Sequence, residues 1–166
     1  MHLTLGNWVL PILKFKRLEV TYENYKKKLE FYCQYQDRCH QEVHAKMDLL
    51  KVPYDYREEL KQYLIEENFL NEKRFVESFV IGKFNQSHWG NIRLTRELQA
   101  RDISDYLIQY GLNLIDNTDY QEKFLIALEK AKRSYPDDSN VKDKKKIFDY
   151  LKRKGWEPPL ILEYLD

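Results

Sequence analysis

Apolar residues in this chain recur three and four positions apart, in blocks of two to four turns broken by turn-forming residues. That spacing predicts a run of nine short amphipathic helices. The first is expected to begin near Thr21 as N-cap, with Tyr22, Tyr25, Leu29, Tyr32 and Cys33 on one face and Lys26, Lys27, Lys28 and Glu30 mostly off it. The second runs from about His40 with Val43, Met47 and Leu50 inward, and Pro53 opens a third with Tyr56, Leu60, Tyr63 and Leu64. A fourth starts at Asn71 and carries Phe75, Val76, Phe79, Val80 and Phe84, and Asn85 to Gly90 reads as a turn. A fifth holds Ile92, Leu94 and Leu98 and ends around Arg101; Ser104 caps a sixth with Leu107, Ile108 and Leu112. The seventh is expected near Asp119, with Tyr120, Phe124, Leu128 and Ala131 inward, and Ser134 to Asp143 is a connector. Ile147, Phe148 and Leu151 line the eighth, Gly155 ends it, and Pro158 opens a ninth with Leu160, Ile161, Tyr164 and Leu165.

The helices fall into threes. Met47, Leu98 and Leu151 are each followed five residues later by an apolar residue, Val52, Ile103 and Trp156, and four further on by Tyr56, Leu107 and Leu160. Steps of roughly 51 to 53 residues lie in the range of a repeat architecture. A single short helix is marginal alone, whereas three enclose a small core. The expectation is therefore an all-α fold of three tandem three-helix repeats stacked into an elongated, slightly curved array. The repeats run 21–70, 71–117 and 118–166, and residues 1–20 form a tail or short strand. Repeat arrays present long surfaces and mostly bind large partners.

Composition narrows this reading. Five Gly and five Pro leave little room for hairpins, and 24 aromatic residues (13 Tyr, 8 Phe, 3 Trp) supply bulk for several small cores. The formal net charge of +1 gives no global pull on nucleic acid, so any such binding rests on local clusters. Cys33 and Cys39 are too few for a disulfide scaffold and read as reduced thiols. Leu3 to Leu13 is too short to span a bilayer and lacks the flanks of a signal peptide, which points to the cytoplasm.

The middle of the chain resembles the RecX family, regulators of the RecA recombinase. Leu70-Asn71-Glu72-Lys73-Arg74-Phe75-Val76 is similar to the family's Leu-Asp/Asn-Asp/Glu-x-x-Phe/Tyr-Ala stretch. Trp89-Gly90-Asn91-Ile92-Arg93-Leu94 with Arg96-Glu97-Leu98 resembles its Gly-x-x-Arg-Ile/Leu-x-x-Glu-Leu element. Arg101-Asp102-Ile103 stands where Lys-Gly-Ile/Val is usual, and Arg38-Cys39-His40-Gln41-Glu42-Val43 resembles Arg-Ser-x-x-Glu-Leu. Lys154-Gly155-Trp156 fits the basic-Gly-aromatic ending of the third unit. The resemblance runs from about Tyr22 to Asp166. It implies a cytoplasmic helical protein that binds the recombinase filament on DNA and alters its activity, usually by inhibition.

Against that background Arg93, Arg96 and Arg101, with Lys83 and His88 across the turn, form a candidate basic face for a filament or for DNA phosphates. The plainer alternative is a solvated face paired locally with Glu97 and Asp102. Trp89 could anchor an interface, but the expectation is that it plugs the core of the second unit and that Gly90 permits the turn. Lys144-Lys145-Lys146 reads as a solvated run that can add charge near the C-terminal unit. His40 and His44 share a helix face, yet a zinc site needs more ligands. No nucleophile-base grouping, phosphate loop or metal motif is present, so neither catalysis nor a cofactor is expected. The anticipated partners are the RecA filament and, weakly and with salt sensitivity, single- or double-stranded DNA; no membrane is involved, and the chain is expected to be a monomer. The competing function is a helix-turn-helix protein reading duplex DNA alone, which requires a densely basic recognition helix.

Overall fold

The computed structural model describes residues 9–135 and 140–165, with side chains from residue 21 onward. Among these residues there are nine α-helices and no strand. They are α1 (Val9–Tyr35), α2 (His40–Leu49), α3 (Tyr54–Glu66), α4 (Glu72–Ser87), α5 (Asn91–Gln99), α6 (Asp105–Leu112), α7 (Asn117–Ser134), α8 (Val141–Lys154) and α9 (Pro158–Glu163). The chain divides into two compact units between Asn71 and Glu72.

Three boundaries differ from the sequence expectation. The first helix begins at Val9, not near Thr21, so residues 9–20 are helical rather than a strand or tail; residues 1–8 lie outside the described residues. Nothing between Ile12 and Tyr35 is Gly or Pro, and Pro11 falls in the first turn, where its missing N–H has no intrahelical partner to lose. The seventh helix starts at Asn117 rather than near Asp119, because the Asp116 carboxylate accepts from the Thr118 amide at 2.7 Å and caps it earlier. The fourth continues to Ser87, so the turn expected from Asn85 shrinks to His88–Gly90. Of the expected connector, residues 136–139 lie outside the described residues, and Asn140 caps α8.

The frame of Met47, Leu98 and Leu151 has a simple physical origin. The amides of Val52, Ile103 and Trp156 donate back to the carbonyls of Met47, Leu98 and Leu151 at 3.0, 3.2 and 3.2 Å. The residues just before them, Lys51, Asp102 and Gly155, sit at φ 55°, 56° and 92° and donate to Asp48, Gln99 and Lys152, each at 3.0 Å. This is the Schellman termination written three times, with its apolar pair buried each time. The second helix of every repeat thus stops on one residue in the left-handed region.

A second recurrence was not read from the sequence. Tyr63 on α3 donates to the Glu30 carboxylate on α1 at 2.7 Å, and Tyr110 on α6 donates to Glu77 on α4 at 2.6 Å. Lys26 lies 3.8 Å from the centre of the Tyr63 ring, and Lys73 lies 4.6 Å from that of Tyr110. In the third repeat the polarity is reversed: Tyr120 on α7 donates to Glu157, the N-cap of α9, at 2.8 Å. One tyrosine–carboxylate bond therefore joins the outer helices of each three. The Glu30 bond holds the Tyr63 hydroxyl up at about 12, above its ordinary value.

The first unit packs Leu29 and Cys33 of α1 against Val43, Met47, Val52, Leu60, Leu64 and Leu70. Cys33 and Cys39 are both buried as thiols. In the second unit, Phe84 of α4 enters the core formed by Phe124, Leu128, Ile147, Leu151, Trp156 and Ile161 from α7 to α9. Its ring stacks on Tyr120, whose ring in turn lies 4.8 Å from that of Trp156. The two three-helix groups of this unit thus share a core.

Candidate functional site

The site is built where the start of α5 meets the end of α8. The helix α5 has no side-chain cap of its own. Its first amides are satisfied by its neighbour instead: Gly90 N–H donates to the Lys154 carbonyl at 3.0 Å and Ile92 N–H to the Gly155 carbonyl at 3.1 Å. Between them, Asn91 N–H donates to the Tyr120 hydroxyl at 3.0 Å. The positive end of one helix therefore caps the negative end of the other, which also carries Lys152, Arg153 and Lys154 in its last turn.

So close an approach needs two glycines. A methyl group on Gly90 would lie 2.4 Å from the Gly155 oxygen, and one on Gly155 would lie 2.3 Å from the Arg93 Cβ. Gly90 has an ordinary extended conformation at φ −81°, so its role is to admit the Gly155 backbone rather than to permit the turn. The left-handed residue ending α4 is His88, at φ 52°.

This junction sets out the arginines differently from one another. Arg93 lies over Trp89, 4.0 Å from the ring centre, donates to the Arg153 carbonyl at 3.3 Å and pairs with the Glu97 carboxylate at 3.9 Å. Arg96 is exposed. Both line a shallow groove of about 270 Å³ with Ile92, Glu97, Lys152 and Arg153. Arg101 turns back along its helix, donating to the Glu97 carbonyl at 2.6 Å and to the Glu97 carboxylate at 3.1 Å, and lies 5.1 Å from the Phe79 ring centre. Lys83 stands 5.3 Å from the Trp89 ring centre and 5.9 Å from that of Phe79.

Trp89 does not plug the core of its unit. It is half-buried, packed edge-on against Phe79 at 6.2 Å, and covered by cations. It serves as a platform on which Lys83 and Arg93 are held, because a guanidinium over an indole face is attracted by the ring quadrupole.

His88 departs from the other candidates. Burial first, then Lys123, Lys130 and Lys154, lower its pKa below the ordinary histidine value. It therefore holds a proton less readily than an ordinary histidine and is a poor source of positive charge for the face. Lys154 is itself drawn in, donating to the Ser87 carbonyl at 3.0 Å, and burial lowers its pKa too.

The structure thus brings Lys83, Arg93 and Arg96 together on one face, holds Arg101 at its edge through Glu97, and turns His88 toward α7. Sequence reading missed Lys152 and Arg153, which complete the groove. Their sequence signal was the basic run closing α8, and only the glycine contact reveals which helix they adjoin.

Comparison with known proteins agrees with the three-helix architecture. Residues 71–112 match the family description "RecX, second three-helix domain", and residues 118–165 match "RecX, third three-helix domain". Regulatory protein RecX of Bacillus mycoides (strain KBAB4) is 27% identical over 130 residues, which are 78% of this chain and 48% of that protein. Its counterpart from Bacillus cytotoxicus is 26% identical over the same span. The chain spans about half the length of the curated relatives it matches. The crystal structure of RecX from Lactobacillus salivarius superposes with a TM-score of 0.72 at 28% identity, covering 87% of this chain and 96% of that one. A second crystal structure, of regulatory protein RecX, has a TM-score of 0.76 at 17% identity over 87% and 72% of the two chains and bears on the fold alone.

Proposed function

The chain belongs to the RecX family, and on that premise we propose that it modulates RecA recombinase filaments, as an inhibitor, by binding the filament on DNA. The observation that carries this reading is the groove between α5 and α8. Two arginines, a lysine and a third arginine meet there around one carboxylate, Glu97. Arg93 is held by Trp89, by the Arg153 carbonyl and by Glu97, so its guanidinium is already ordered when an acidic group or a phosphate arrives. In this reading the chain acts as a cytoplasmic monomer, without enzymatic turnover, through repeats 21–70, 71–117 and 118–166. Free DNA is bound weakly and released by moderate salt, because only a few phosphates are neutralised.

A duplex reader of the helix-turn-helix kind needs bases on its last helix. Here α6 and α9, the last helices of the second and third repeats, contain neither Lys nor Arg, and in α3, the last of the first, Arg57 pairs with Asp48 and Lys61 with Glu58. Among the described residues no helix is long and apolar enough to cross a membrane. The test is co-sedimentation with recombinase filaments formed on single-stranded DNA, beside bare DNA and free recombinase. Pelleting with filaments and not with bare DNA at moderate salt supports the proposal. Equal recovery on bare DNA, or none on filaments, rejects it.

A further inference from the structure

The first unit carries a surface that the face described above does not use. A groove of about 410 Å³ opens between α1 and α2, lined chiefly by Lys27, Lys28, Phe31, Tyr32, Tyr35 and Lys46. Phe31 is 70% exposed and Tyr35 is 79% exposed. They are one helical turn apart on α1, so their rings are offset by about 6 Å along the same face. No acidic residue lines the groove, in a chain with nearly as many acids as bases. Three carboxylates of the flanking helices are engaged elsewhere: Glu30 accepts from Tyr63, Asp48 pairs with Arg57, and Glu42 pairs with Arg38. Tyr32, at the groove wall, is held between cations, with Arg38 4.1 Å and Lys46 5.2 Å from its ring centre.

We propose that this α1–α2 groove binds single-stranded nucleic acid, with bases stacked on Phe31 and Tyr35 and phosphates paired with Lys27, Lys28 and Lys46. Flat exposed rings interleaved with lysines match a ligand that alternates apolar planes with negative charge. An acidic peptide would satisfy the lysines and leave the rings in water. A duplex offers its phosphates but keeps its bases stacked away from the rings, so the groove discriminates by strandedness rather than sequence. The inference stands apart from the reading of the α5–α8 face: it assigns the weak binding of free single strands to this groove, below the affinity for filaments, and its test contains no recombinase.

The full chain is titrated into labelled oligothymidylate, into a duplex of equal length, and into oligothymidylate with polyglutamate as competitor, over a range of salt. The exposed pair Phe31→Ala/Tyr35→Ala is expected to weaken single-strand binding on the order of tenfold per ring and to leave duplex binding unchanged. Because stacking is uncharged, the salt slope stays as in the parent. Lys27→Ala/Lys28→Ala lowers that slope by about 0.7 per lysine. Circular dichroism checks that both variants keep their helix content. Unchanged single-strand affinity in the folded aromatic variant overturns the proposal. So does polyglutamate binding that the aromatic substitutions abolish while DNA binding persists.

Discussion

Replacing Gly155 by Ala probes the junction that builds the α5–α8 groove. The position sits at φ 92°, where a side chain costs about 1–2 kcal/mol by crowding the following carbonyl. The new methyl would also meet the Arg93 Cβ at 2.3 Å and the Arg93 amide nitrogen at 2.4 Å. Backbone does not give way as a flexible side chain does, so α5 must withdraw from α8. The bonds from Gly90 to Lys154 and from Ile92 to Gly155 then lengthen or break, at about 1 kcal/mol each. The total is about 3–4 kcal/mol, a large share of the stability of a domain this size. Gly90→Ala removes the φ term but keeps the clash with the Gly155 oxygen, so it should cost about 2 kcal/mol. Gly82, inside α4 with open space around its Cα, is the control: Gly82→Ala should stabilise by about 0.8–1 kcal/mol. Urea unfolding followed by circular dichroism ranks the three. If Gly90→Ala is as harmless as Gly82→Ala, the close approach of the two helices is not what these glycines serve.

Other outcomes follow from single side chains. Arg96→Ala should leave the melting temperature within the scatter of surface substitutions, about 0.5 kcal/mol, whereas Arg93→Ala should cost about 1 kcal/mol through lost contact with Trp89 and Arg153; equal melting of the two would contradict this difference. Lys51→Gly and Asp102→Gly remove side chains from left-handed positions and should each raise stability by about 1 kcal/mol, read as a higher urea midpoint; a lower midpoint would mean that the side chains supply more than the strain takes away. His88 has a folded pKa below its ordinary value, so its contribution is complete above about pH 6.5 and fades as pH falls through the folded value. The parent should therefore lose more of its melting temperature on acidification than His88→Asn, which keeps a residue tolerant of φ 52°; identical pH profiles would place the acid sensitivity elsewhere.

Much of the fold could be read from spacing. The frame of Met47, Leu98 and Leu151 located all three Schellman terminations, since that motif requires a buried residue five positions after another. The start of α1 was misplaced because Thr21 has the chemistry of a cap but sits inside an unbroken helix, and capping preference is weaker than the continuity of a segment without Gly or Pro. The face was legible only in part. Arg93 and Arg96 stand together as their three-residue spacing requires, but Trp89 lies on the face rather than in the core, and His88 turns toward α7. Nothing local in the sequence says that Arg93 will cover the indole or that burial, with three lysines nearby, will lower the imidazole pKa. Lys152 and Arg153 reach the groove through a contact between residues 65 apart in the chain, Gly90 and Gly155, and periodicity holds no record of such a contact.

The central claim is that the α5–α8 groove meets the filament. The most direct measurement is a titration of recombinase ATPase on single-stranded DNA with the parent chain and with Arg96→Glu/Lys152→Glu. These two side chains are exposed, so charge reversal should leave the fold intact. The account predicts that the parent inhibits and that the folded double variant needs at least about tenfold more protein for the same inhibition, the equivalent of two charge-assisted contacts weakened. Inhibition by the folded variant at the parent's concentration would contradict it.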